Sequence, residues 1–323
     1  MRQHSLIEKT RLRALSVTAA ALLVLSAAAC SGSDSTDEAA HGSGTGSQTT
    51  TGEHSGATTN GNETGPEEVS AADFDRSLFD DGSATLDNKW VAFKTGKRFT
   101  WRGWTEEDGE RVSHRDVFTV TDLTKVIRGV RARIGWDRDF SEGRLVETEL
   151  IFLAEDKDGN VWHLGQYSET WEEGEFVGGQ AWLAGYLKGA KAGIYIKGEP
   201  RLGTPEYSQG FAPPPFFWDD HGKVLKVGQK TCVPLDCFDD VLVIDEFEPR
   251  KPGAHQLKYY APGVGNVRVG WSGNDADKEV LVLTKTEQLA PSAMAKARAE
   301  ALKLETRASL YGRTPPAEQR PAE

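Results

Sequence analysis

The chain has 323 residues, with 49 acidic side chains against 38 basic ones and a formal net charge of −11. That balance, without a basic stripe, argues against nucleic acid as a partner. Hydrophobic residues make up 38% of it and nine are tryptophan, enough for a folded core, while only Cys30, Cys232 and Cys237 carry thiols.

Arg2, Lys9, Arg11 and Arg13 precede an apolar run over residues 14–29 that ends in small residues before Cys30. This is the layout of a secretory signal peptide, too short and too quickly followed by polar sequence for a stable membrane span. Leu25-Ser26-Ala27-Ala28-Ala29-Cys30 resembles a bacterial lipobox, with Ala27 where Leu is usual. It makes Cys30 the expected lipidated first residue of the mature protein, exported and anchored to the outer face of the cell membrane. The alternative is a plain secreted protein in which Cys30 is lost or unpaired. Residues 30–72 hold Ser, Gly, Thr, Glu and Asp with no aromatic residue. Such a composition buries too little apolar surface to offset the entropy of ordering, and predicts a disordered tether.

All nine tryptophans lie between Trp90 and Trp271, which places the folded domain within residues 73–289. Residues 99–105 and 111–120 read as strands joined by the turn Glu107-Asp108-Gly109. Val126, Arg128, Val130, Ala132, Ile134 and Trp136 alternate with Arg131, Arg133 and Asp137, a half-buried strand pattern. After the turn Glu142-Gly143, Val146, Leu150, Phe152 and Ala154 repeat it. Asp156-Lys157-Asp158-Gly159-Asn160 invites a calcium reading. An EF-hand loop, however, wants Gly sixth and Glu twelfth, where this chain has Val161 and Tyr167, so the segment predicts a hairpin turn at Asp158-Gly159. Asp220-His221-Gly222 reads as a turn before a strand at 223–227. Cys232 and Cys237 are expected to form a disulfide in an oxidising compartment, since no further His or Cys pair completes a zinc site.

The next stretch is a meander. Val241, Val243, Asp245 and Phe247 share one face of a central strand, and Leu242, Ile244 and Glu246 the other. Beyond the turn at residues 248–253, Leu257 and Tyr259 oppose Lys258 and Tyr260, and Pro262-Gly263 turns the chain into residues 264–271. Residues 280–286 read as one more strand. After Pro291, Met294, Ala297, Ala301, Leu304, Ala308 and Tyr311 recur at helical spacing, which predicts one amphipathic helix over residues 290–313. Residues 314–323, rich in proline, are expected to be loose. The fold class is therefore mainly β, a strongly curved antiparallel sheet forming a half-barrel or barrel-like meander, with a C-terminal helix.

Three separated phrases carry a resemblance. They are Glu155-Asp156-Lys157-Asp158-Gly159-Asn160-Val161-Trp162-His163-Leu164-Gly165, Val233-Pro234 followed by Phe238-Asp239-Asp240-Val241-Leu242-Val243, and Lys258-Tyr259-Tyr260-Ala261-Pro262-Gly263-Val264-Gly265. Together, over about residues 99–271, they resemble a family of uncharacterised bacterial exported β-rich proteins, many of them lipoproteins. The resemblance implies export and a curved sheet and brings no activity with it. The cysteines at 232 and 237 depart from the family pattern.

No G-x-S-x-G elbow, H-E-x-x-H, phosphate loop or dinucleotide fingerprint occurs, and no cofactor or metal is implied. Carboxylates cluster at Glu172, Glu173 and Glu175, at Asp219-Asp220 and at Asp239-Asp240. A pair could serve a glycan-acting hydrolase, but acidic runs are usually solvated turns. Aromatic residues in polar contexts suggest instead a concave, aromatic-lined face for an apolar or sugar-like ligand. The candidate binding residues are Trp162, Tyr167, Trp182, Lys258 and Tyr260. A structural or assembly lipoprotein contacting other envelope proteins is the third reading.

Overall fold

The computed structural model describes residues 74–107, 109–186, 189–276, 278–311 and 314–320, apart from the side chains of 309–311. The expected signal peptide, Cys30 and the tether lie outside the described residues. Alternating apolar residues and glycine-rich turns build long strands: β1 Lys97–Glu107, β2 Glu110–Ile127, β3 Val130–Ser141, β4 Arg144–Glu155 and β5 Val161–Glu172. Shorter ones follow, β6 Glu175–Leu183, β7 Lys191–Ile196, β8 Tyr207–Ser208 and β9 Gly210–Phe211. The meander comes next, as β10 His221–Cys232, β11 Cys237–Phe247, β12 Ala254–Ala261, β13 Gly265–Gly273 and β14 Glu279–Gln288. Helix α1, Pro291–Tyr311, and β15, Glu318–Gln319, end the described chain. Among the described residues no helix is long and apolar enough to cross a membrane.

The sheet is antiparallel and nearly closes on itself. β1 joins β14 to β2, so the path runs from β8 through β10 to β14, on through β1 to β5, and ends at β7 and β9. Its two extremes, β8 and β9, are neighbours in sequence. Tyr207–Ser208 pairs with β10, and two residues later Gly210–Phe211 pairs with β7. One short segment therefore bridges both edges, and Gln209 between its halves donates from its backbone N–H to the Asp220 carbonyl. Gly193 and Gly210 permit that approach, because a Cβ on Gly193 would stand 2.0 Å from the Gly210 nitrogen. β6 pairs only with β5, which leaves a seam in the wall.

The two faces of the wall bury different cores. Outward residues of β3 to β5, among them Ile134, Leu150, Phe152 and Leu164, pack under Met294, Ala297, Ala301, Leu304 and Ala308 of α1. Three buried or half-buried ion pairs clamp the helix, Lys125 with Glu305, Arg298 with Asp122 and Arg307 with Glu169. Inside the wall, Leu86, Trp90, Val91 and Phe93 of the segment before β1 join Phe99, Val120, Leu153, Ile196, Leu242 and Ile244. Asn88 donates to the Gly159 carbonyl in the β4–β5 turn, and the Gly263 N–H, in the β12–β13 turn, donates to Lys89. This segment thus plugs the end of the barrel at which those turns lie.

Four expectations change. The alternation from Val126 to Trp136 is two strands rather than one: Arg128 and Gly129 take φ of 48° and 77° and form a two-residue hairpin turn, which shifts the parity so that Ile127, and not Val126, shares the face of Val130. His221 and Gly222 are the first residues of β10, paired with β8, and not a turn. The end expected to be loose places Glu318–Gln319 on β2, opposite Thr124 and Leu123. The strands of residues 175–183, 191–196 and 207–211, several rich in glycine or very short, were not foreseen. The helix, whose docking the sequence left open, packs on the domain; the expected disulfide joins Cys232 and Cys237, and the expected turn at Asp158-Gly159 is organised by Asp156, which accepts from the Asp158 and Asn160 N–H groups.

Candidate ligand-binding site

The inner face of the barrel is apolar at the plugged end and polar toward the other. β12 shows why. Gln256, Lys258 and Tyr260 are buried on the inward side, whereas Leu257 and Tyr259 are only half-buried outside. At the same height, β2 turns His114 and Asp116 inward, β3 Asp137 and Asp139, β4 Glu147 and Glu149, and β14 Glu279. Register holds them together, since Asp116 faces Asp139 and Asp139 faces Glu147 across adjacent strands, with Asp137 opposite Glu149 in the next row.

These groups form a connected belt. His114 Nε2 lies 3.0 Å from Asp139 Oδ1 and its Nδ1 lies 3.4 Å from Glu279 Oε1. Gln256 donates to Glu279 Oε2 at 2.9 Å. Lys258 Nζ lies 2.6 Å from Glu246 Oε2, and Gln209 donates to Glu246 Oε1 at 2.9 Å and to the Tyr195 carbonyl at 3.2 Å. The residue at the junction of β8 and β9 is thus tied to both β7 and β11.

A cavity of about 70 Å³ opens into this belt. Asp116, Asp137, Gln256, Lys258, Asn266 and Glu279 supply its polar lining, and Phe93, Trp101 and Tyr195 its aromatic walls. It is far smaller than the roughly 300–1,000 Å³ of pockets that enclose drug-sized ligands. An acyl chain has no room here, because Trp90, Val91 and Phe93 fill the apolar half of the barrel.

Burial sets the charge states. It pushes the Glu149 carboxyl well above the usual carboxylate range, with repulsion from Glu147 and Asp137 adding to it. His163, on β5, is pushed down to about 3 by burial and stays neutral. At Lys258 burial opposes the ammonium, but Glu246 and Tyr195 beside it outweigh that and hold the pKa above its ordinary value.

Of the residues expected to bind, Lys258, Tyr260 and Trp182 face inward. Trp182 stacks on Trp218 with ring centroids 5.1 Å apart. Trp162 and Tyr167 lie on the outer face in the core beneath α1 and the chain entry. There Trp162 Nε1 donates to Asp156 Oδ2 at 2.7 Å, and Tyr167 donates to Glu169 at 2.9 Å. Trp162 and Tyr260 therefore do not share a face. The acidic runs singled out in the sequence are mostly exposed, at Glu172, Glu173, Glu175, Asp239 and Asp240. The inward carboxylates were passed over, although Glu147 and Glu149 share the parity of Ile151 and Leu153 on a strand buried on both faces.

Fold and interior together define a nearly closed antiparallel barrel with a polar inner half. No protein-family model matches the chain, and no curated protein matches it in sequence. Among solved structures it is similar to a presumed exported protein with YmcC-like fold from Bacteroides fragilis, at a TM-score of 0.36 and 12% identity, covering 60% of this chain and 96% of that one. A presumed lipoprotein from Parabacteroides distasonis gives 0.31 at 12% identity, with the same coverage. At that level of superposition neither ligand nor activity transfers.

Proposed function

We propose that the chain is an exported, lipid-anchored binding protein that holds a small polar, sugar-like ligand in the inner polar half of its barrel. The observation that carries this reading is the cavity in which carboxylates, amides and Lys258 converge beside Trp101 and Tyr195. Aromatic walls with a few placed polar groups are what orient a small hydroxylated molecule. The apolar ligand considered from the sequence is disfavoured by the plug. Export and anchoring are supported by the basic residues, apolar run and Cys30 of the leader, together with the motif resemblance to exported β-rich proteins.

Native mass spectrometry of the processed protein, released from the membranes of its own host, tests the binding reading. A small polar molecule should be retained, and it should be lost in Asp137→Asn. An empty interior, or a retained acyl lipid, overturns it. The anchor is tested separately: Cys30→Ser should move the protein from membranes to the soluble fraction, and continued membrane partitioning would refute it.

A further inference from the structure

The outer surface of β1, β2 and β3 gathers four arginines that lie far apart in the chain. Asp116 of β2 and Asp137 of β3 line the interior cavity, so alternation turns Arg115 and Arg138 outward. Register brings β1 to them. Arg102 stands directly opposite Arg115, and Arg98 stands opposite Thr119, further along the same face.

Their charge is barely compensated. Of the four, only Arg98 meets a carboxylate among the described residues, Glu287 at 3.8 Å, and Glu287 also takes Lys285 at 2.9 Å. Like charges directly opposite each other destabilise a sheet, as Arg102 and Arg115 must. Burial and the neighbouring Arg98 and Arg115 bring the Arg138 guanidinium down to about 10, although Asp137 and Asp116 attract it from the inner side of the wall. Its Nε is buried without a hydrogen-bond partner. Buried donors in native proteins are nearly all paired, so this one demands a reason.

The guanidinium planes are held in place. Arg115 lies over Phe140 with its guanidinium carbon 3.8 Å from the ring centroid, and Arg138 lies over Trp136 at 4.2 Å. Trp136 is pinned in turn, donating from Nε1 to Thr148 Oγ1 at 2.9 Å, and Arg98 donates from Nε to Thr119 Oγ1 at 3.2 Å. Stacked, pre-organised guanidinium groups lose little freedom on taking a ligand. Their N–H forks match the oxygens of a phosphate group. Phosphate offers more acceptor oxygens than a carboxylate, which suits four cations that share one exposed acid.

We propose that Arg98, Arg102, Arg115 and Arg138 form a phosphate-binding site on the outer wall of the barrel. It stands apart from the interior site and does not depend on the binding function proposed above. The phosphate can come free or as the phosphodiester of a lipid headgroup, and the experiment separates the two. Thermal-shift titration of the full chain in nonionic detergent uses inorganic phosphate and glycerophosphoglycerol, the deacylated headgroup of phosphatidylglycerol, each against sodium chloride of matched ionic strength. At least one should raise the unfolding midpoint saturably beyond the chloride control. A response to the diester alone assigns the site to lipid headgroups, and a response to inorganic phosphate alone assigns it to free phosphate. Arg102→Gln, at an exposed position, should weaken the responding probe by about tenfold, equal to about 1.4 kcal/mol. It should also raise the ligand-free midpoint by relieving the repulsion with Arg115. Arg138→Gln, the second variant, should weaken the probe by a similar factor. No saturable shift beyond chloride with either probe overturns the site, and so does binding that the folded variants leave unchanged. A ligand-free midpoint lowered by Arg102→Gln would assign that guanidinium to the fold and overturns it too.

Discussion

Lys258 and Glu246 meet inside the barrel with Nζ 2.6 Å from Oε2, each side chain only 6% exposed. The pair joins β12 to β11 and, through Gln209, to the segment that closes the wall. Two charges removed from water are tolerated together and not singly. Lys258→Met should therefore destabilise the domain by about 3–5 kcal/mol, by leaving Glu246 buried and unpaired. Combining it with Glu246→Leu should recover much of that loss. A double-mutant cycle by urea denaturation measures it, and additive losses would show that the two charges are not coupled.

His163 gives the fold a pH dependence of defined sign. Unfolded, it titrates near the ordinary 6.5; folded, it stays neutral down to about 3. Between these values the unfolded chain binds a proton that the folded chain refuses, so the contribution is full above 6.5 and drains away as the pH falls through the window. His163→Phe should lose this component. The stability difference between wild type and variant should be constant above pH 6.5 and shift against the wild type toward pH 3, and a difference that stays flat across the window would mean the imidazole is not held neutral.

Cys232 and Cys237 face each other at the end of the β10–β11 hairpin, on residues that are exposed. So short a loop constrains the unfolded chain little, and the expected stabilisation is about 2 kcal/mol. Replacing both with Ser should lower the melting temperature by a few degrees and leave the circular dichroism spectrum unchanged. Free thiols in the exported protein, detected by alkylation without reductant, would rule the bridge out.

Ala297 and Ala301 bring α1 close to the sheet, at 2% and 0% exposure. A longer side chain there has nowhere to go. Ala301→Leu should cost about 1–3 kcal/mol by overpacking, whereas Leu302→Ala, at an exposed position of the same helix, should be nearly neutral. Equal effects of the two changes on the urea midpoint would mean that the helix does not dock through this face.

The strands of the meander were legible because β11 to β13 alternate strongly and are separated by proline and glycine turns. β6 and β7 were not. Their glycines and the interruption at residues 184–190 remove the period that would reveal them, and they are held instead by pairing to β5. The hairpin at Arg128-Gly129 escaped for a different reason: a two-residue turn shifts the side-chain parity by one, so that Ile127 and Val130 share a face, and apolar residues at both 126 and 127 let the alternation be carried through from Val126.

The candidate site was legible only in fragments. Lys258 and Tyr260 could be singled out together because they share a face of one strand, and Trp162 could not be separated from them because face-sharing between distant strands is not written in local alternation. By itself the sequence determined local conformation and parity: which segments extend, where they turn, which side chains project together and where one amphipathic helix begins. Only the tertiary structure decided that the polar face of β12 is the inner one. Closing the sheet puts Gln256 and Lys258 into an interior where Glu246 and Glu279 from neighbouring strands satisfy them, and that compensation depends on contacts between strands far apart in the chain.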